Sequence, residues 1–269
     1  MIYHWPTPLL PGRFIRRYER FLVDVKLDSG KELRAHCVNP GRMEGLVQPG
    51  ARVWLSKSPV TTRTLTHTWE LIELDGRLIG ANTGLPNRLM GLALNEGLIS
   101  RLEDVTAVVP EQAFGRGHRV DFVLERLGGR HLVEVKNCHL VYPDGWGYFP
   151  DSNSERAVKH VEALTRVVQR GLRASVYFTV QRDDARGVRP AALHAPAFAR
   201  ALRAAAKKGL EVRAFEFVPS LEGVALGREL AVDVEPYDLA PIREWARALE
   251  TTTGWLRKDG RWSGQRLSI

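Results

Sequence analysis

The sequence predicts a small all-β barrel followed by a mixed α/β domain, with a short extension after it. Short segments of alternating polarity, separated by Gly or Pro turns, fill the first eighty residues. After 83–87, helical and strand-like patterns alternate as far as residue 237. We therefore expect a barrel domain at 1–84, an α/β domain at 85–237 and an extension at 238–269.

The barrel prediction depends on the number and spacing of the first strands. Six segments show the partial alternation of half-buried strands, at 13–18, 21–27, 32–37, 52–56, 68–74 and 78–81. Five or six short strands at this spacing favour a five-stranded OB-like barrel. An SH3-like barrel is the alternative, and the pattern alone does not separate the two.

The second domain alternates helices and strands. The pattern predicts helices over 87–102, 154–170 and 197–209, and strands over 105–109, 119–125, 131–136, 173–180 and 211–218. Ser154 is the expected N-cap of the second helix, and Gly171 its stop. A further hairpin is expected over 224–234 and a last helix over 241–250. This order predicts a central mixed sheet.

Charge and cysteine content narrow the class of protein. The formal net charge is +8 and the pI about 9.8. The first 83 residues hold 12 basic and 8 acidic side chains, so the barrel holds half of the excess. Two cysteines exclude a disulfide framework, and no signal peptide or membrane span is evident. We expect a cytoplasmic protein whose partner is a polyanion such as nucleic acid.

The chemistry is concentrated in 119–137. Leu127-Gly128-Gly129-Arg130 is a hairpin turn signal between two strand patterns. Alternation places Glu134 and Lys136 on one face of the second strand, and folding the hairpin brings Asp121 beside them. Two carboxylates placed together raise the pKa of one of them unless a cation neutralises their charge. The pattern predicts a Mg²⁺ or Mn²⁺ site at Asp121 and Glu134, with the Val135 carbonyl as a further ligand and Lys136 orienting a water.

The spacing Asp-x12-Glu-x-Lys across a hairpin resembles the core of PD-(D/E)xK nucleases. That core also has an acidic residue on a preceding helix, which Glu96 fits, and Glu111 before the Asp strand is a second candidate. A helix after the second strand often adds polar residues, and Glu155 and Lys159 stand there four residues apart on one face. We therefore count all four as site candidates.

Basic and polar residues outside this core are candidates for nucleic-acid contacts. Arg13, Arg16 and Arg17 form a basic segment that is able to track phosphates. Arg42 lies in a Gly-containing polar loop that is able to grip one phosphate. Asn82 and Asn87 flank the hinge between the domains and are expected to face the cleft.

A wider set of segments resembles the sugar fermentation stimulation protein family, in the family's order over roughly 10–236. The segments are Arg20-Phe21-Leu22-Val23-Asp24-Val25, Ala35-His36-Cys37-Val38-Asn39-Pro40-Gly41-Arg42-Met43, Ile79-Gly80-Ala81-Asn82-Thr83-Gly84-Leu85-Pro86-Asn87, Val120-Asp121-Phe122, Val133-Glu134-Val135-Lys136-Asn137, Phe149-Pro150-Asp151 and Ser154-Glu155-Arg156-Ala157-Val158-Lys159-His160. The resemblance implies an OB-like domain, a PD-(D/E)xK-like domain, DNA binding without marked sequence preference and a regulatory link to sugar use.

These observations predict a DNA-binding protein, for single- or double-stranded DNA, with a metal-dependent phosphodiesterase site. Two alternatives stay open at this point. One is a non-catalytic DNA-binding regulator of sugar metabolism genes on a nuclease scaffold. The other is an RNA-processing nuclease.

Overall fold

The computed structural model describes residues 1–60, 62–114 and 117–263, so the end of the predicted extension, 264–269, lies outside the described residues. The chain begins with a two-residue strand, and six strands of the first domain follow it. They are β1 (Tyr3–His4), β2 (Leu10–Tyr18), β3 (Leu22–Leu27), β4 (Glu32–His36), β5 (Arg52–Lys57), β6 (His67–Leu74) and β7 (Arg77–Gly80).

The first domain is an OB-like barrel, as predicted. Its strands pair in the order β4-β3-β2-β5-β6-β7, and β4 also pairs in parallel with β6 at His36 and Thr68. This additional pairing closes five strands into a barrel. Alternating inward residues fill it, and Phe14 packs on the fully buried Trp69 with ring centroids 5.2 Å apart.

The second domain is a mixed sheet with helices. Its elements are α1 (Leu85–Asn95), β8 (Val105–Phe114), β9 (His118–Arg126), β10 (Gly129–Asn137), β11 (Leu140–Val141), β12 (Trp146–Phe149), α2 (Glu155–Val168), β13 (Arg173–Val180), β14 (Gly187–Pro190), α3 (Pro196–Lys207), β15 (Glu211–Pro219), β16 (Gly223–Val232) and α4 (Ala240–Ala248). In the described part of the chain, no helix is both long and apolar enough to span a membrane.

The sheet separates two hydrophobic cores. Its strand order is β11-β12-β14-β16-β15-β13-β10-β9-β8, and β10, β13 and β15 run parallel to one another. Val161 of α2 and Phe198 of α3 pack against one face of the sheet. Leu89 of α1 packs against the other face, together with Trp54 and Leu71 of the barrel. The barrel is thus packed against the second domain rather than tethered beside it.

Several predicted elements need correction. Helix α1 ends at Asn95 rather than at 102, because Gly97 takes a left-handed conformation with φ of 64°. The expected hairpin over 224–234 is the single strand β16, antiparallel to β15. Strand β1 was missed: it pairs with β16, so the first residues belong to the second domain rather than to the barrel. Ser154 caps α2 as predicted, accepting the N–H of Ala157.

The extension packs onto both domains. Ile242 and Ala246 of α4 are buried in a cluster with Tyr142 and Tyr148. Farther on, the chain runs beside the barrel, where Leu256 forms a parallel bridge with Tyr18. The extension is therefore a structural part of the described molecule.

Candidate metal centre

The candidate centre forms where strands β9 and β10 separate. The two strands pair as far as Phe122 and Val133, where their pairing ends. Beyond that point β10 continues beside β13, and β9 continues beside β8. Backbone groups at the edges of separating strands need other partners. The gap therefore brings unpaired backbone groups together with side chains from both strands.

Asp121 is the residue of β9 immediately beyond this pairing, and its carboxylate lies in the gap. Oδ2 accepts the backbone N–H of Val135 at 2.7 Å, and Oδ1 accepts the side-chain amide of Asn87 at 2.7 Å. Burial, followed by the nearby charge of Glu134, raises the pKa of Asp121 despite these hydrogen bonds. An added cation would favour the ionised form of Asp121.

Glu134 lies buried on β10 and receives two donors. Lys136 Nζ donates to Oε1 at 2.5 Å, and Nδ1 of His160 lies 2.6 Å from the same oxygen. Because an ionised carboxylate only accepts, Nδ1 carries the proton of this hydrogen bond. Burial acts to raise the pKa of Glu134, but the hydrogen bond from His160 and the charge of Lys136 outweigh it and lower the pKa.

The donor set fits a hard divalent cation. Oε2 of Glu134 is buried and has no hydrogen-bond partner among the described residues, and a buried anionic oxygen without a partner is costly. Mg²⁺ and Mn²⁺ accept carboxylates together with water and substrate phosphate. In the described ranges no group of three His, Cys, Asp or Glu side chains is placed to hold a metal ion, and Asp121 and Glu134 stay the predicted carboxylate donors. The Val135 carbonyl stays a predicted ligand.

The two further acidic residues predicted for the site are both exposed. Glu96 is exposed at the C-terminal end of α1, about 13 Å along the helix from Asn87. Glu111 is exposed on β8 and forms an ion pair with Arg119 at 2.9 Å. The prediction that Glu96 supports the metal does not fit this structure, because the shortened helix leaves it at its far end. Glu111 lies opposite Asp121 in the β8–β9 pairing and stays a predicted site residue.

The prediction that Arg17 contacts phosphate is also wrong. A register shift between Phe14 and Arg16 in the β2–β3 pair turns the Arg17 side chain inward, where it is 0% exposed. Its guanidinium donates to the backbone carbonyls of Arg20, Asn39, Gly41 and Gly254. Arg17 therefore ties the barrel to the loop after β4 and to the extension.

The other predicted basic contacts lie nearer the surface. Arg13 is exposed and donates to the carbonyl of Gly50 at 3.0 Å. Arg16 is exposed, pairs with Asp24 at 3.0 Å and lies 5.3 Å from the centre of the Tyr18 ring. Arg42 is mostly buried and lies 3.7 Å from Glu44. Arg13 and Arg16 stay predicted backbone contacts on the barrel.

The polar residues predicted at the hinge and on α2 lie in three different places. Asn87 belongs to the centre through Asp121, whereas Asn82 accepts the N–H of Gly84 and donates to Glu70, both at 2.8 Å. Glu155 and Lys159 are exposed at the rim of a cleft that His160 also lines. Asn82 therefore stabilises the turn that precedes α1. Glu155 and Lys159 stay predicted contacts to nucleic acid.

Sequence reasoning missed two residues, one at the centre and one that links the barrel to the large sheet. His160 follows Lys159 on the same helix. Gln181, at the end of β13, donates to Asn137 at 3.2 Å and to the Asn82 carbonyl at 3.4 Å. No sequence motif marks Gln181, because its role depends on which strand lies beside β10.

An OB-like barrel joined to a mixed sheet, with Asp, Glu and Lys converging where two strands separate, defines the class of PD-(D/E)xK nuclease-like proteins. Comparison with protein-family models specifies the family. Residues 15–81 match the SfsA N-terminal OB domain, and residues 84–223 match the sugar fermentation stimulation protein RE domain. The chain belongs to the sugar fermentation stimulation protein family.

Individual relatives agree with this assignment. The sugar fermentation stimulation protein homolog of Jannaschia sp. is 43% identical over 235 residues, which are 86% of this chain and 98% of that protein. The homolog of Geobacter sulfurreducens is 44% identical over 84% of this chain and 97% of that protein. The solved structure of Pyrococcus furiosus SfsA in complex with Ca²⁺ is 24% identical, with a TM-score of 0.78 over 84% of this chain and 96% of that chain. That structure shares the fold.

Proposed function

We propose that the protein binds DNA without marked sequence preference and hydrolyses the phosphodiester backbone with a divalent metal ion. One observation carries the proposal. Asp121, Glu134 and Lys136 converge where β9 and β10 separate, and Oε2 of Glu134 is buried there without a described hydrogen-bond partner. This arrangement leaves anionic oxygen free for a cation beside a lysine.

Each residue of the centre has a defined task in this proposal. Asp121 and Glu134 hold Mg²⁺ or Mn²⁺, which, when bound, supplies a Lewis acid for the scissile phosphate and lowers the pKa of a coordinated water. Asn87 orients Asp121, and His160 orients Glu134, through their hydrogen bonds. Lys136 orients the attacking water and stabilises the negative charge that develops on phosphate.

Charge and surface residues support nucleic acid as the substrate. The net charge of +8 favours polyanions. On the barrel, Arg16 and Arg34 flank the Tyr18 ring at 5.3 and 5.1 Å from its centre, a combination of cations and an aromatic ring that suits a phosphate backbone and its bases. Beside the centre, Arg156 and Lys159 line a cleft. The Ca²⁺ in the Pyrococcus furiosus structure is a hard cation with the same preference for oxygen ligands.

The buried carboxylates favour catalysis over binding alone. A protein that only binds DNA has no need of two carboxylates facing phosphate, because without a metal ion they repel it. The non-catalytic regulator is therefore an outcome of the test rather than an equal candidate, and the same test distinguishes DNA from RNA as the substrate.

The test is a cleavage assay. The protein is incubated with single-stranded DNA, double-stranded DNA or RNA, in Mg²⁺, in Mn²⁺ or in chelator. We expect metal-dependent cleavage of DNA, lost in Asp121→Asn and in Lys136→Met. If none of the three nucleic acids is cleaved with either metal, the catalytic proposal is overturned. Cleavage of RNA alone would identify the RNA nuclease instead.

Glu96→Gln is the matched control. It removes an exposed carboxylate at the far end of α1, so this variant should keep wild-type cleavage. Cleavage that survives in Asp121→Asn and in Lys136→Met would show that the activity comes from another site or from a contaminant.

A further inference from the structure

A basic cleft lies where the barrel, the second domain and the extension meet. Its volume is about 450 Å³, and it is lined by Arg20 and Arg42 of the barrel, Asn153 of the second domain, and Trp255 and Arg257 of the extension, among others. The described lining residues include three arginines and no carboxylate. The cleft therefore favours an anionic ligand.

The backbone on both sides of Trp255 is fixed. The N–H of Gly254 donates to the Arg42 carbonyl at 2.7 Å, and the N–H of Leu256 donates to the Arg17 carbonyl at 2.9 Å. The Arg20 guanidinium lies 4.9 Å from the centre of the Trp255 ring. The half-buried indole is thus held in place before any ligand arrives, which lowers the entropy cost of stacking on it.

The acidic groups near the cleft are already engaged. Asp151, behind Gly41, accepts the N–H of Met43 at 2.9 Å and lies 3.4 Å from His139. Glu44 is fully buried, 3.7 Å from Arg42. Arg20 and Arg257 are exposed, so the cleft keeps positive charge available to a ligand.

One run of residues connects this cleft to the candidate metal centre. Ser152 and Asn153 line the basic cleft, whereas Glu155 and His160 line the cleft beside Glu134. From Ser154 to His160 the helix rises about 9 Å. That distance is about three nucleotide steps of ~3.4 Å along a strand. A strand lying at the centre therefore reaches the basic cleft within a few nucleotides.

We infer that the extension completes a nucleic-acid-binding subsite, in which the Trp255 indole stacks on a base and Arg20 and Arg257 bind the adjacent phosphates. The inference rests on the proposed function, since it assigns a path to the same nucleic acid. Trp255 and Arg257 lie outside residues 15–81 and 84–223, which match the family models. The subsite is therefore built with residues that the family match does not include.

The experiment measures binding in chelator, so that no cleavage follows. The probe is a fluorescein-labelled oligo-dT of roughly 16 nucleotides, titrated by anisotropy at several salt concentrations. We expect Trp255→Ala to weaken binding at least about fivefold and Trp255→Phe to restore most of it, because the phenyl ring still stacks. Arg257→Gln should reduce the slope of log affinity against log salt by about 0.7.

The matched controls lie in the same extension, outside the cleft lining. Trp262→Ala and Arg261→Gln should bind like the wild type. Because Arg257 is exposed, Arg257→Gln should fold normally. Wild-type affinity in both Trp255→Ala and Arg257→Gln would overturn the subsite and leave the proposed function standing. If the wild-type protein binds neither this probe nor a duplex, the proposed function fails as well.

Discussion

His160 on α2 and Glu134 on β10 are joined by a hydrogen bond of 2.6 Å, which links the first turns of a helix to the strand that carries Lys136. Lys136 donates to the same oxygen, and the other carboxylate oxygen of Glu134 has no hydrogen-bond partner among the described residues. Because His160 holds one oxygen of this carboxylate, we assign it as a positioning residue.

The first prediction concerns this hydrogen bond. His160→Ala should lower Mn²⁺ affinity about 10- to 100-fold, because residues that orient metal ligands typically contribute that much. Isothermal titration calorimetry measures it, and His160→Gln, which still donates, should recover part of the loss. Lys159→Ala is the control on the same helix: it should keep the metal affinity while weakening DNA binding. Unchanged Mn²⁺ affinity in His160→Ala would remove the histidine from the centre.

The second prediction concerns Asn87 and Asp121. Asn87→Asp replaces a donor at 2.7 Å from Asp121 with a second anion, so in chelator its melting temperature should fall below that of the wild type. Mn²⁺ should restore stability and shift the melting temperature more than it does in the wild type, since a third carboxylate adds a ligand.

Asn82→Asp is the control for this metal effect. Asn82 also donates to a buried carboxylate, that of Glu70, at 2.8 Å. The same substitution there should destabilise the protein without any rescue by Mn²⁺. Equal rescue of both variants would show that the ion acts elsewhere.

The third prediction concerns Arg17. Arg17→Met should lower the free energy of unfolding by about 3 kcal/mol or more, since several buried carbonyls lose a charged donor. Arg16→Met removes an exposed arginine of the same strand and should cost under about 1 kcal/mol. Urea unfolding followed by tryptophan fluorescence measures both. Similar losses in the two variants would contradict the structural role of Arg17.

The fourth prediction is a pH dependence of stability. Burial lowers the pKa of His131 to about 4, and its Nε2 lies 2.6 Å from the hydroxyl of Ser175. The unfolded chain binds a proton at this residue below its ordinary pKa of about 6.5, whereas the folded chain does so only near 4. Stability should therefore fall as the pH drops from about 6.5 to 4.

Replacing His131 tests this pH dependence. In His131→Gln the decline of the urea midpoint over that pH window should be smaller, even if the variant is less stable at pH 7. His4→Gln removes an exposed histidine and should keep the wild-type slope. A slope that is the same in all three proteins would show that other groups cause the decline.

Local sequence patterns predict some residues of the candidate centre but not others. Asp121, Glu134 and Lys136 lie on one hairpin, so strand alternation and a turn signal were enough to bring them together. His160 reaches Glu134 only through the packing of α2 against the sheet, and Gln181 reaches Asn137 only because β13 lies beside β10. No local pattern encodes either packing. Glu96 was misplaced because its helix ends at Asn95, and helix ends depend on single residues such as Gly97.

Arg17 shows a different limit of sequence reasoning. Four arginines lie close together in the sequence at 13, 16, 17 and 20, and by composition they predict one basic surface. Strict strand alternation would place Arg17 on the face opposite to Arg16. The register shift buries the Arg17 guanidinium, and hydrogen bonds to the carbonyls of Asn39, Gly41 and Gly254 offset the cost of its desolvation. Acceptors so distant along the chain are visible only once the fold is known.

The pairing of β1 with β16 has a mechanical consequence. Residues on both sides of the barrel are held by the second domain: Tyr3 pairs with Val224 before it, and α1 packs on the large sheet after it. A module attached at a single joint can swivel, whereas one anchored at entry and exit keeps only a narrow range of orientations. The barrel is in effect an insert within the larger domain, so a substrate strand would meet both as one preset surface.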